Sequence, residues 1–171
     1  LTLVGVDGEG YRILDAEHPI NVSGADGTLA FAPDGRTIAY GVGSQGWFYH
    51  WDGPHGTGEI EPFDPVAYGL DLDAPFQIAQ PAWSPDGTHL AWIVKENVRH
   101  DGVDKDHPSS DWTRVAVFDL AARTGRMLHQ YPSQGVGWPS APVWSRDWQW
   151  LAFGHISRSE KPGLWVARVG G

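Results

Sequence analysis

Between Arg99 and Pro108 the chain reads Arg99-His100-Asp101-Gly102-Val103-Asp104-Lys105-Asp106-His107-Pro108, which sets three carboxylates and two imidazoles close together. Oxygen donors from Asp101, Asp104 and Asp106 suit Ca²⁺ or Mg²⁺, and the pair His100 and His107 suits Zn²⁺. The spacing D-x-x-D-x-D departs from the EF-hand pattern D-x-[DN]-x-[DN]-G, and Lys105 puts a positive charge in its middle. The segment therefore reads either as a divalent-cation site or, more plainly, as a solvated polar loop. Nearby in the pattern of connections, Trp112 and Trp138 sit at loop ends, where an indole can stack on a sugar, a proline or a cation, or simply cover the core beneath its loop. Asp71, Asp73, His155 and Arg158 add polar groups to the same set of connections.

Apparent catalytic motifs fail on context. Gly41-Val-Gly-Ser-Gln-Gly46 satisfies G-x-G-x-x-G, but it leads into Trp47-Phe-Tyr-His-Trp51, a strand-like run and not the helix a dinucleotide phosphate needs. Ser44 lies outside G-x-S-x-G, so no nucleophile elbow is present. Asn21-Val-Ser23 is a formal glycosylation sequon. The eight histidines are scattered, and no Ser-His-Asp set assembles from their spacing. The chemistry of this chain is that of binding, and catalytic residues are expected to be absent.

The elements that position these residues follow from composition. A chain of 171 residues fits one domain with a real core. A net charge of −9 with dispersed Lys and Arg argues against duplex nucleic acid, whose binding rests on neutralised phosphates. Without cysteine there are neither disulfides nor thiolate metal sites. No apolar run is long enough to cross a membrane as a helix, and the start at Leu1 reads as a trimmed product. Ten Trp, 22 Gly and 13 Pro, with no helical apolar period, describe short strands and tight turns.

One hairpin recurs. Residues 82–92 read AWSPDGTHLAW, residues 30–40 read AFAPDGRTIAY and residues 143–153 read VWSRDWQWLAF, with the shared Asp at 34, 86 and 147. In SPDG the Pro presets φ, the Asp tolerates the next turn position and the Gly supplies a left-handed exit. These hairpins make strands A and B. Between them lie paired apolar strands C and D, each C ending in Asp: Leu1–Asp7, Trp47–Asp52 and Arg114–Asp119. The expected organisation is an all-β segment of about three four-stranded antiparallel units spanning 1–171, with strands C and D at 1–15, units at 28–63 and 78–131, and a partial unit at 141–171.

The motif W-S-P-D-G-x-x-[IL]-A-[FW], followed by a strand ending in Asp and a turn, resembles the PD40 (WD40-like) repeat of TolB-like β-propellers. Related repeats occur in propeller domains of prolyl-oligopeptidase-type and tricorn-type peptidases. The resemblance implies a bacterial, extracytoplasmic (periplasmic or secreted) scaffold that binds a protein or peptide without catalysis. The rivals are a substrate-gating propeller domain of a serine peptidase and a glycan- or cation-binding propeller. Three blades are too few to close a ring. The missing blades come either from the rest of a longer chain, the favoured reading, or from a second copy that makes six. The third hairpin departs from the motif at Arg146 and Trp148; a non-Gly residue in the left-handed region costs about 1–2 kcal/mol, so a different turn is expected at Ser145–Trp148. In a propeller the A–B and C–D turns share one face. The long connections Asp64–Gln77 and Lys95–Asp111 fall on the other, and that loop-rich, acidic face is where a partner is expected.

Overall fold

The computed structural model describes residues 2–3, 12–13, 29–51, 58–72, 76–98, 110–132, 139–155 and 162–169. In chain order the strands are β1 (Thr2–Leu3), β2 (Arg12–Ile13), β3 (Leu29–Phe31), β4 (Thr37–Val42), β5 (Gln45–His50), β6 (Glu59–Phe63), β7 (Phe76–Trp83), β8 (His89–Val98), β9 (Ser110–Asp119), β10 (Thr124–Pro132), β11 (Val143–Trp144), β12 (Trp150–His155) and β13 (Gly163–Arg168). They form four antiparallel sheets. Two are four-stranded meanders, β3-β4-β5-β6 and β7-β8-β9-β10; the third is β11-β12-β13, and β1 pairs with β2 alone. None closes into a ring. These are propeller blades, with strands A to D in order.

Each blade starts at the repeated hairpin. In the second, Gly87 takes φ 73° and its N–H donates to the Ser84 carbonyl at 2.9 Å; in the first, Gly35 takes φ 66° and donates to Ala32 at 2.9 Å. The third hairpin corrects the expectation from sequence. Trp148 adopts φ 50° and donates to the Ser145 carbonyl at 2.9 Å, the same turn with a tryptophan in the glycine position. Side-chain bonds hold it there: Ser145 Oγ donates to Asp147 Oδ1 at 2.6 Å, Gln149 N to the same oxygen at 3.2 Å, and Trp150 N to Ser145 Oγ at 3.0 Å. The indole also stacks on His89, centroids 5.6 Å apart. These contacts offset the steric cost that argued for a different turn.

Strand C returns to the same end of its sheet. Leu120 N donates to the Thr88 carbonyl, Val169 N to Gln149 and Trp51 N to Arg36. The end of strand C thus lies beside the A–B turn in all three blades, at what is called here the hairpin end.

Unbroken apolar runs along the inner strands, with side chains turned alternately to either side, give the blades two apolar faces. One core, between the first and second blades, joins Phe48 and Phe63 to Ile78, Leu90, Trp92, Val94 and Phe118. A second, between the second and third, joins Ile93, Val115 and Val117 to Leu151 and Phe153. Trp92 is fully buried and stacks on Phe63 at 4.7 Å. A third cluster, Ile38, Tyr40 and Tyr49, lies on the other face of the first blade. Sheets one and two approach so closely that a Cβ on Gly41 would fall 2.1 Å from the Ile78 carbonyl oxygen. Trp83 donates its indole N–H to the Ala30 carbonyl at 3.1 Å, and Trp144 repeats this to Ala82 at 2.9 Å. Trp150 is 45% exposed on the far face of the third blade with Val143, Leu164 and Val166.

Candidate functional site

The connections opposite the hairpin end are shorter than the sequence suggested where they follow β8. That strand runs to Val98 and β9 begins at Ser110, so the loop is 99–109 and not Lys95–Asp111. His100, Asp101, Asp104, Asp106 and His107 fall in it, outside the described residues, as do Asp73, Trp138 and Arg158. Among the described residues no group of three or more His, Cys, Asp or Glu side chains stands ready to hold a metal ion, and no helix is long and apolar enough to cross a membrane.

Of the expected site residues, three are described, and all lie toward the loop-bearing end. Trp112 is the third residue of β9, half-buried and paired in register with Glu96 and Pro132, rather than at a loop end. Asp71 is exposed, and its backbone is engaged: Arg114 Nη1 donates to the Asp71 carbonyl at 3.0 Å. The other arm of Arg114 meets Glu96 Oε2 at 2.6 Å, with Glu96 1% exposed. A buried carboxylate demands such a partner, so Glu96 fixes Arg114 and Arg114 fixes the connection leaving β6. That connection is itself ordered. Asp64 caps a 3₁₀ helix, Pro65–Tyr68, by accepting from Val66 N at 2.9 Å, and Gly69 closes it at φ 85°.

His155 corrects its sequence placement. It is the last residue of β12 and not part of the following loop, and it is buried. Its ring stacks on Tyr131 with centroids 4.0 Å apart and on Trp165 at 5.1 Å, and its Nδ1 lies 3.5 Å from His129 Nε2. His155 therefore seals the joint between the second and third blades.

The hairpin end holds two clefts that sequence patterns did not reveal, because each draws on strands and turns of two blades. The first, about 440 Å³, is lined by Phe48, His50, Glu61, Tyr68, Trp83 and Arg123 with Asp34 and Asp86. His50 Nε2 stands 3.2 Å from Glu61 Oε2, and the Arg123 guanidinium lies over the Tyr68 ring at 5.5 Å. Partial burial acts to raise the Asp34 and Asp86 carboxyls, but hydrogen bonds from Arg36 N, Thr37 N and Thr37 Oγ1 to Asp34, and from Ser84 Oγ, Thr88 N and Thr88 Oγ1 to Asp86, hold both below the usual range. Burial raises the Tyr68 hydroxyl. The second cleft, about 790 Å³, occupies the equivalent place between blades two and three and is lined by His89, Asp119, Arg126, Trp148, Gln149 and Arg168.

No family model and no curated protein matches the chain. Solved structures do. An oligogalacturonate lyase in complex with manganese is 15% identical at a TM-score of 0.45, covering 77% of this chain and 30% of that one. TolB from Acinetobacter baumannii is 17% identical at 0.35, covering 96% and 45%. A putative TolB from Agrobacterium tumefaciens is 15% identical at 0.32, covering 83% and 57%. The chain thus spans less than two thirds of each of these proteins. Its repeated hairpins and meander blades give it the fold of a β-propeller segment.

Proposed function

We propose that the chain is a non-catalytic propeller scaffold that presents its loop-bearing end to a protein or peptide partner in an extracytoplasmic compartment, completed by further blades. The observation that carries this reading is the clamp from buried Glu96 through Arg114 to the Asp71 carbonyl. A surface connection held by a desolvated ion pair keeps one shape, and a preordered surface binds without the entropy cost of ordering. The segment 99–109, with three Asp beside Arg99 and Lys105, joins β8 to β9 at this same end.

A peptide library displayed on phage and selected against the chain tests this. Selected peptides should lose binding to Asp71→Lys and Trp112→Ala and keep binding to His50→Ala, at the opposite end. Peptides that bind both loop-end variants as tightly as the parent overturn the reading. So does a glycan array whose hits depend on Trp112, which would make the ligand a carbohydrate.

A further inference from the structure

The third blade leaves one face uncovered, and strand register identifies it. Ala39 pairs with Phe48, Ala91 with Val117 and Ala152 with Val166. Ala30, Ala82 and Val143 pair with the same alanines from strand A. Two residues along, Ile93 pairs with Val115 and Gly154 with Leu164. Residues directly opposite one another point to the same side of a sheet, so Phe48, Val117 and Val166 hold equivalent places on equivalent faces, as do Val115 and Leu164.

In the first two blades that face is closed by the next blade. Phe48 packs on Trp83 and Trp92 of the second blade, with ring centroids 5.6 and 6.4 Å away. Val115 and Val117 pack with Trp144, Leu151 and Phe153 of the third. The covering side chains recur as a tryptophan ending strand A and Leu-Ala-aromatic in strand B, Leu90-Ala91-Trp92 and then Leu151-Ala152-Phe153. Val115 and Val117 are 0% and 3% exposed, whereas Leu164 and Val166 are 76% and 58% exposed. Val143 and Trp150 extend the same apolar patch, and a contiguous patch of this kind marks an interface. Among the described residues β13 is also the outermost strand of its sheet, where β6 and β10 supply a fourth strand to the other blades.

A second copy of the chain fits this face poorly. To cover Leu164 and Val166 it must use Ile38 and Tyr40, which hold the Leu90 and Trp92 positions, and both are already buried in their own chain.

We propose, on the reading of the chain as a propeller segment completed by further blades, that this face seats one more blade of the same repeat and not a second copy. That blade carries tryptophan at the end of strand A and Leu-Ala-aromatic in strand B, and it is reached through a fourth strand laid along β13. The surface lies on the flank of the third blade, apart from the connection at Asp71.

Inserting a copy of residues 121–169 after Val169 tests this, because it adds a fourth strand to β13 and then a blade with Trp144, Leu151 and Phe153 in the covering positions. Each joint between repeats adds its own stability, so the urea midpoint should rise by about 1 M, with slower amide exchange at residues 164–168. Val166→Lys should be nearly neutral in the parent and should abolish the rise in the extended chain. In sedimentation equilibrium the parent should be a monomer. The proposal is overturned if the added repeat leaves the midpoint unchanged, or stays unfolded beside intact parental blades. It is equally overturned if Val166→Lys costs the parent as much as the extended chain, or if the parent forms a dimer that Val166→Lys dissolves. Binding of the selected peptides at Asp71 and Trp112 is read separately, so the loop-end reading stands or falls independently.

Discussion

Trp144 donates its indole N–H to the carbonyl oxygen of Ala82 across the joint between two blades, at 2.9 Å. Trp83 does the same to Ala30 at 3.1 Å. Trp144→Phe keeps an aromatic ring but leaves a part-buried carbonyl without its donor, which should cost about 1–3 kcal/mol. Urea denaturation should show this, with Trp150→Phe, on the exposed face, as a nearly neutral control.

The Glu96–Arg114 pair makes a sharper case. Removing one partner leaves the other charge buried, so Glu96→Gln or Arg114→Met alone should destabilise by about 3–5 kcal/mol. Replacing both, as Glu96→Leu with Arg114→Met, should recover most of that loss while releasing the Asp71 connection. Faster amide exchange at residues 69–72 in the double variant, at near-parental stability, is the expected signature.

Acid should weaken the hairpins in a defined direction. Asp34, Asp86 and Asp147 have folded-state pKa values lowered from 3.8, the last chiefly by the Ser145 hydroxyl and the Gln149 amide. A carboxyl depressed by folding contributes stability that is complete above its unfolded pKa and disappears as pH falls through the lower folded value. The urea midpoint should therefore hold steady above about pH 5 and fall below about pH 4. Asp86→Asn should flatten part of that fall.

Gly41→Ala tests the closeness of the first two blades. The added methyl meets the Ile78 backbone, which cannot swing aside as a side chain can. The sheets must separate, at about 1–3 kcal/mol. A lower thermal midpoint with unchanged far-UV circular dichroism is expected.

The hairpins were legible in the sequence because Pro-Asp-Gly turns are set by rules that act over four residues. The strands C and D were legible as paired apolar runs recurring between the hairpins, each C ending in Asp. Trp148 was misread because the glycine position alone was weighed, whereas the Ser145–Asp147–Gln149 bonds repeat those of Ser84, Asp86 and Thr88, and the His89 ring of the neighbouring blade adds a contact no local rule contains. His155 was misplaced because the end of β12 is set by its pairing to Gly163 and by the Tyr131 and Trp165 rings. The clefts and the Glu96–Arg114 clamp were out of reach. Their residues come from different strands, and only the closed register brings them together.

The two indole bonds from Trp83 and Trp144 run one way, each blade donating to the one before it in the chain. Phe31 holds the corresponding position in the first blade and is 48% exposed, with no N–H to offer. The row of blades therefore has a polarity, like a strip with hooks along one side and loops along the other, and its leading hook is blank. A ring built from two identical copies would carry that blank at both of its seams, whereas a neighbour bearing tryptophan at this position could fasten onto the Val143 carbonyl in full.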